Sequence, residues 1–251
     1  MVLLTKVSLM VAPICWCLSM SLPVAASEFG FILSQKSGVC GKAEIYVSSK
    51  GLKLVQRNTS CVLVMKAPDW KVNYFNTNSK VLYETDAKKW QGKSPGYIAD
   101  LMSDSRFLAL APQKTTTNAK SIAGLHCNET QLVRIGALPP KTKRNEDELK
   151  SATYYGTSAL SVPDQAVRVV QRFYRIPTIK GFPVKLDISD LRGHNQNELY
   201  TSSCVKSVFS SSIFNVPTGY KKVPAEEAVA ASDQGLLQDM STDLGGKFGP
   251  P

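Results

Sequence analysis

The sequence predicts an α+β protein: one large curved antiparallel sheet, a half-open barrel, with two or more helices packed on its concave side. Three observations carry this. Residues 39–90 alternate apolar and polar side chains in short runs parted by turn residues, the pattern of a strand meander. Two segments, at 94–104 and 163–177, repeat apolar residues at helical spacing. The order is strands, helix, strands, helix, strands, which fits a mixed fold around one antiparallel sheet.

Residues 1–26 carry one charge, Lys6, then an apolar stretch interrupted by Pro13 and Pro23, then small residues. Val24 and Ala26 suit the −3 and −1 positions of a signal-peptidase cut before Ser27, so a signal peptide and a periplasmic or secreted product are expected. Neither Cys15 nor Cys17 follows the small-residue box of a lipid-attachment site. The chain after the cut suits one domain at 27–231, with a flexible tail at 232–251. The net charge of +10 is spread along the chain. That fits weak peripheral contact with an anionic membrane surface and no dedicated nucleic-acid groove.

The meander starts with "KAEIYVSSKGLKLVQRN", two alternating runs around Lys50-Gly51. With those two residues as the hairpin loop, Glu44 faces Arg57, Val47 faces Leu54 and Cys40 faces Cys61. A three-residue loop would shift that register. Four cysteines remain after the cut, and an even number in an exported chain points to disulfides. The register suggests Cys40–Cys61, and elimination leaves Cys127–Cys204. The strands "CVLVMKAP", "WKVNYF" and "KVLYETD" follow. Trp70, Val72 and Tyr74 share one face, with Val81 and Tyr83 available on the returning strand.

A helix is expected at "SPGYIADLMSD", then strands at "AKSIAGLHCNETQLVRI" and, beyond the charged loop "PPKTKRNEDELK", at "ATYYGTSALSV". The second helix is "PDQAVRVVQRFYRIP", with Asp164 as N-cap and Pro177 as stop. The strands "FPVKLDIS" and "ELYTSSCVKSVFSSSIF" come last. In "IFNVPTGYKKV", Pro217 ends strand pairing and Gly219 permits a turn. Tyr220 then folds back as a plug and Lys221 and Lys222 stay in solvent, blunting a sheet edge.

The strings "KSIAGLHCNETQLV", "GFPVKLDI" and "SSSIFNVPTGYKKV" occur in that order within residues 40–223. Together they resemble uncharacterised secreted bacterial proteins related to the outer-membrane lipoprotein-sorting (carrier) superfamily. The resemblance implies an antiparallel half-barrel whose concave face, closed by helices, holds acyl chains. Its implied partner is a lipid or the acyl chain of a lipoprotein.

On that reading Trp70, Val72, Tyr74, Val81 and Tyr83 line a ligand cavity, although such a stripe equally suits plain core. Arg168, Arg172 and Arg175 share one helix face and would form a basic rim for an anionic headgroup, or an ordinary solvated face. The chain holds two histidines, His126 and His194, and lacks a G-x-S-x-G elbow, a phosphate loop and HExxH. His126 and Cys127 are adjacent in a strand, so their side chains diverge. Asp69 is a candidate acid but also a common turn former. No enzyme, metal or cofactor is expected. The functional expectation is an envelope protein binding a lipid or other apolar ligand; the alternative is a scaffold or interaction module with a filled core, and a hydrolase is the third choice.

Overall fold

The computed structural model describes residues 27–93, 107–136 and 148–232. The expected signal peptide, the 94–104 helix, most of the charged loop and the tail lie outside these residues.

Twelve strands form one sheet. In chain order they are β1 (Ser27–Ser37), β2 (Gly41–Ser48), β3 (Gly51–Gln56), β4 (Cys61–Lys66), β5 (Val72–Asn76) and β6 (Val81–Thr85). Then come β7 (Leu110–Ile122), β8 (Leu125–Arg134), β9 (Leu149–Thr157), β10 (Phe182–Asp190), β11 (Asn195–Ser210) and β12 (Lys221–Lys222). Their spatial order is β12-β6-β5-β4-β3-β2-β1-β11-β10-β9-β8-β7. Every pair is antiparallel except β12–β6.

This corrects the expected fold class. The described residues hold two α-helices, α1 (Asp164–Phe173) and α2 (Glu226–Ala231), and one 3-10 turn at Ser211–Phe214. Among the described residues a single sheet dominates, and they do not form an α+β fold with several helices. Nor is the sheet closed, since β12 and β7 stand at its two ends. The expectation failed where strands lacked clean alternation. The edge strand β7 is exposed along nearly its whole length, so nothing imposed an apolar period on "LAPQKTTTNAKSI".

The first hairpin is also corrected. Its loop is Ser49-Lys50, pairing Ser48 with Gly51, Val47 with Leu52 and Ala43 with Gln56. Each partner moves by two residues, which keeps every side chain on its face, so alternation could not separate the two registers. Glu44 faces Val55, and Arg57 reaches Glu44 diagonally in an ion pair.

One face of the sheet carries the main core, including Leu33, Ile45, Leu54, Leu63, Tyr74, Tyr154, Leu186 and Leu199. Helix α1 lies over it, burying Ala166, Val167, Val169, Val170, Gln171 and Phe173. Pro163 occupies its N-cap and Asp164 sits in the first turn, where its charge suits the helix dipole. Gln171 Nε2 fixes the helix by donating to Ile179 O at 2.6 Å and Tyr154 Oη at 2.9 Å.

A second, smaller core lies on the outer face of β4–β6, formed by Val62, Val64, Phe75, Leu82 and Phe214. Strand β11 stops at Ser210, so Ile213 and Phe214 do not complete it; they enter the 3-10 turn. Residues 211–222 then cross the outer face as a strap. A Cβ on Gly51 would sit 2.4 Å from the Phe214 ring, so only glycine leaves room there. Tyr220 packs edge-on against Phe75 at 5.5 Å, Gly219 turns at φ +79°, and the exposed pair Lys221–Lys222 forms β12 on the β6 edge.

Candidate functional site: a cleft at the end of the first helix

The aromatic stripe is filled. Trp70, Val72 and Tyr74 are buried at 7%, 0% and 0% exposure. Trp90, from the loop after β6, covers them, with its ring 5.2 Å from Tyr74 and 6.4 Å from Tyr83. Val81 and Tyr83 are partly buried against the same core, and Val229 of α2 joins it. Sequence reasoning did not single out Trp90, because a loop residue belongs to no periodic pattern.

The arginines separate. Arg168 is exposed. Arg172 Nη1 donates to the carbonyls of Trp90 at 2.7 Å, Ala87 at 3.2 Å and Lys88 at 3.3 Å. A Cβ on Gly92 would lie 2.4 Å from Arg172 O, so the 87–92 loop is pressed against the end of α1. Arg172 therefore pins that loop, and Arg175 follows at φ +53° as the chain leaves the helix.

These two arginines flank a cleft of about 380 Å3 between the end of α1 and the start of β7. Its apolar wall is Phe107, Leu108, Leu110, Ile176 and Pro177, and Gln91 completes the lining. Leu108 is 78% exposed, which keeps the cleft open to solvent. The arrangement offers an apolar trough with cationic groups beside it, suited to an alkyl chain bearing an anionic end. Of the arginines singled out from sequence, Arg172 and Arg175 line it, Ile176 and Pro177 follow them directly, and Gln91, Phe107, Leu108 and Leu110 come from segments distant in sequence.

A second cleft, of about 490 Å3, lies on the outer face under the strap. Asp69 and Glu84 line it together with Lys66, Lys71, Asn73 and Asn215. Lys66 Nζ donates to Asn215 Oδ1 at 2.6 Å and Lys222 Nζ to Glu84 Oε2 at 3.0 Å.

None of Cys40, Cys61, Cys127 and Cys204 is in a disulfide, which corrects both expected bridges. The Cys40 Sγ donates to Phe173 O at 3.2 Å, tying the β1–β2 turn to α1. Asn76 Nδ2 lies 3.8 Å from Cys61 Sγ. The corrected hairpin register removes the argument that set Cys40 opposite Cys61. Cys127 on β8 and Cys204 on β11 are parted by β9 and β10. Three strand spacings are roughly 14 Å, beyond the reach of a disulfide. Cys127 is fully buried, burial pushes its thiol up to about 11, and it donates to Leu125 O at 3.3 Å. His126 is exposed, on the other side of the strand. His194 sits beside Asp190 in the β10–β11 turn. Among the described residues no helix is long and apolar enough to cross a membrane.

No family model and no curated protein matches the chain. Among solved structures it is similar to an uncharacterized conserved protein from Thermus thermophilus, at 8% identity and a TM-score of 0.28, covering 80% of this chain and 91% of that one. It is also similar to MucB in complex with MucA(peri), at 10% identity and a TM-score of 0.34, covering 79% of this chain and 57% of that one. At these scores neither likeness carries an argument.

Proposed function

We propose that the chain is an exported, non-enzymatic envelope protein related to the lipoprotein-sorting superfamily that binds an amphiphile, an alkyl chain with an anionic head. The binding place is the cleft beside the end of α1. The observation that carries this reading is the cleft's composition: Phe107, Leu108, Leu110, Ile176 and Pro177 on its walls, with Arg172 and Arg175 alongside. The alkyl chain would replace water along the apolar wall, and the guanidinium groups would favour a carboxylate or phosphate head over a neutral one. The aromatic stripe under Trp90 belongs to the core on this reading and touches no ligand.

The test is titration of the purified full chain with a fluorescent fatty acid, alongside native mass spectrometry for co-purified lipid. Saturable uptake is expected, stronger for the acid than for the matching alcohol. Because Leu108 is exposed, Leu108→Asp should spare the fold and weaken uptake by about tenfold or more, as befits loss of a leucine that the alkyl chain would cover. No uptake and no co-purified lipid would sink the reading. The second reading, a scaffold or interaction module without a ligand, is favoured by the presence of Trp90 and Val229 in the main core, and would then stand.

A further inference from the structure

Between β10 and β11 the sheet forks. Their pairing runs from Ser189↔Asn195 only to Lys185↔Tyr200, whereas the β1–β11 ladder continues to Ser27↔Ser210. Among the described residues, β11 beyond Thr201 therefore has a paired strand on its β1 side alone. The cause lies in the "GFP" string that opens β10. Pro183 has no N–H to give a ladder, Gly181 turns at φ +95°, and the register shifts between Pro183 and Lys185. Buried side chains satisfy the groups left at the fork. Gln35 Nε2 donates to Pro183 O at 2.9 Å and Thr201 Oγ1 at 2.8 Å, and Thr201 Oγ1 donates to Val184 O at 2.7 Å. With Gln35 at 3% and Thr201 at 0% exposure, this is a built junction and not a frayed end.

The limb beyond the fork is regular, pairing Ser203–Ser210 with Ser27–Ser34 without a shift. It is also flanked by exposed apolar side chains. Phe29 is 85% exposed and faces Val208, itself 53% exposed; Val205, 57% exposed, faces Ile32 on the opposite side of the sheet. The sheet's two ends are treated differently. Lysine-bearing β12 covers β6, and β7 is interrupted by Pro112 and two register shifts and carries Lys114 and Lys120. Such devices deter strand addition, and the β11 limb has none of them except Lys206.

We propose that Ser203–Ser210 is a docking edge for an extended peptide segment of another protein, added as a strand in the fork. Every second residue of the limb points its N–H and C=O toward the added strand. Alternate side chains of that strand meet Val208 and Phe29 on one face and Val205 and Ile32 on the other. An acidic side chain is favoured beside Lys206, and the span of about 26 Å takes roughly eight residues. Charge selects a foreign peptide over a second copy. Two copies paired about Lys206 would set lysine against lysine, and a chain of net charge +10 repels itself. This inference does not rest on the amphiphile reading and uses a different part of the molecule.

The probe is a fluorescein-labelled peptide alternating valine and threonine with one central glutamate, added to the full chain. Anisotropy should show saturable binding, and hydrogen exchange should slow at Ser203–Ser210 and not along Leu110–Ile122. Val205→Glu should weaken binding by about tenfold or more, through a charge on the apolar flank. Lys206→Glu, on a solvent-facing side chain, should switch preference to the same peptide with a central lysine, and keeps the test decisive if Val205→Glu folds poorly. No saturable binding, equal slowing along Leu110–Ile122, or a chain dimer already protected at Ser203–Ser210 would each overturn the proposal.

Discussion

Strands β4–β6 bury apolar residues on both faces, while β8–β10 bury theirs mainly on the face of the main core. Within β4, "CVLVM" is buried at every position, with Leu63 and Met65 in the main core and Val62 and Val64 in the outer one. The outer face of β9 and β10 instead carries Tyr155, Lys185 and Asp187. Lys185 Nζ lies 2.6 Å from Asp187 Oδ2 and 5.6 Å from the Tyr155 ring centre. The difference is the strap. A two-sided apolar strand in an antiparallel sheet requires a second cover, and residues 211–222 supply it from far along the chain.

The largest effect should come from removing that cover's anchor. Phe214 is 1% exposed and packs against Gly51 and Phe209. Phe214→Ala should cost about 3–5 kcal/mol in urea denaturation, the usual range for a fully buried phenylalanine. Tyr155 is also buried, at 9% exposure, but its ring packs beside Lys120 and Lys185 without an apolar cover, so Tyr155→Ala should cost less than Phe214→Ala. Equal losses would mean that the strap is not what distinguishes the limbs.

How much of this was legible follows the range of the physics involved. Strands β2–β6 and α1 were readable because alternation, turn residues and helical spacing are local. The hairpin register was not, since a two-residue shift leaves every face unchanged. The strap's destination was hidden for another reason. Phe214 fits over Gly51, which in sequence looks only like a turn glycine. At the site, the helical spacing of Arg168 and Arg172 was legible, but not that the helix would end at Phe173 and leave Arg175 outside it, nor that Arg172 would bind three carbonyls of a loop more than eighty residues away. Whether the Trp70–Val72–Tyr74 face was cavity or core turned on Trp90, whose loop carries no pattern.

The next prediction concerns Glu226, 4% exposed at the start of α2. Burial raises its carboxyl above the ordinary range, outweighing the backbone N–H groups of Lys93, Gly92 and Gln91 that favour the charged form. A carboxyl raised on folding contributes stability that is full below its unfolded value and lost as pH rises through the folded one. Glu226→Gln should therefore stabilise the chain at neutral pH relative to wild type. It should also flatten the fall in stability as pH rises above the ordinary carboxylate range. Thermal melts from acid to neutral pH check it; destabilisation at neutral pH would show that the amides dominate.

The smallest effect has the opposite sign and tests the strap from its far end. Glu84 on β6 accepts from Lys222 of β12 at 3.0 Å and lies 3.6 Å from Lys71. The hydrogen bond from Lys222, with the charges of Lys222 and Lys71, holds its carboxyl below the ordinary range against the opposing cost of burial. A carboxyl depressed on folding stabilises above its unfolded value, and that stability is lost as pH falls through the folded one. Because the pair is partly exposed, the contribution is under about 1 kcal/mol and is screened by salt. Acidification should thus lower the amide protection factors, corrected for the intrinsic exchange rate at each pH, at Lys221–Val223 before it touches β4, and Glu84→Gln should give that lower protection already at neutral pH. Phe214 stays seated in both cases, so the outer face of β4 remains protected while the β12 edge opens. If β4 and β12 instead lost protection together, the strap would be one cooperative unit, and its terminal ion pair would guard the whole outer core.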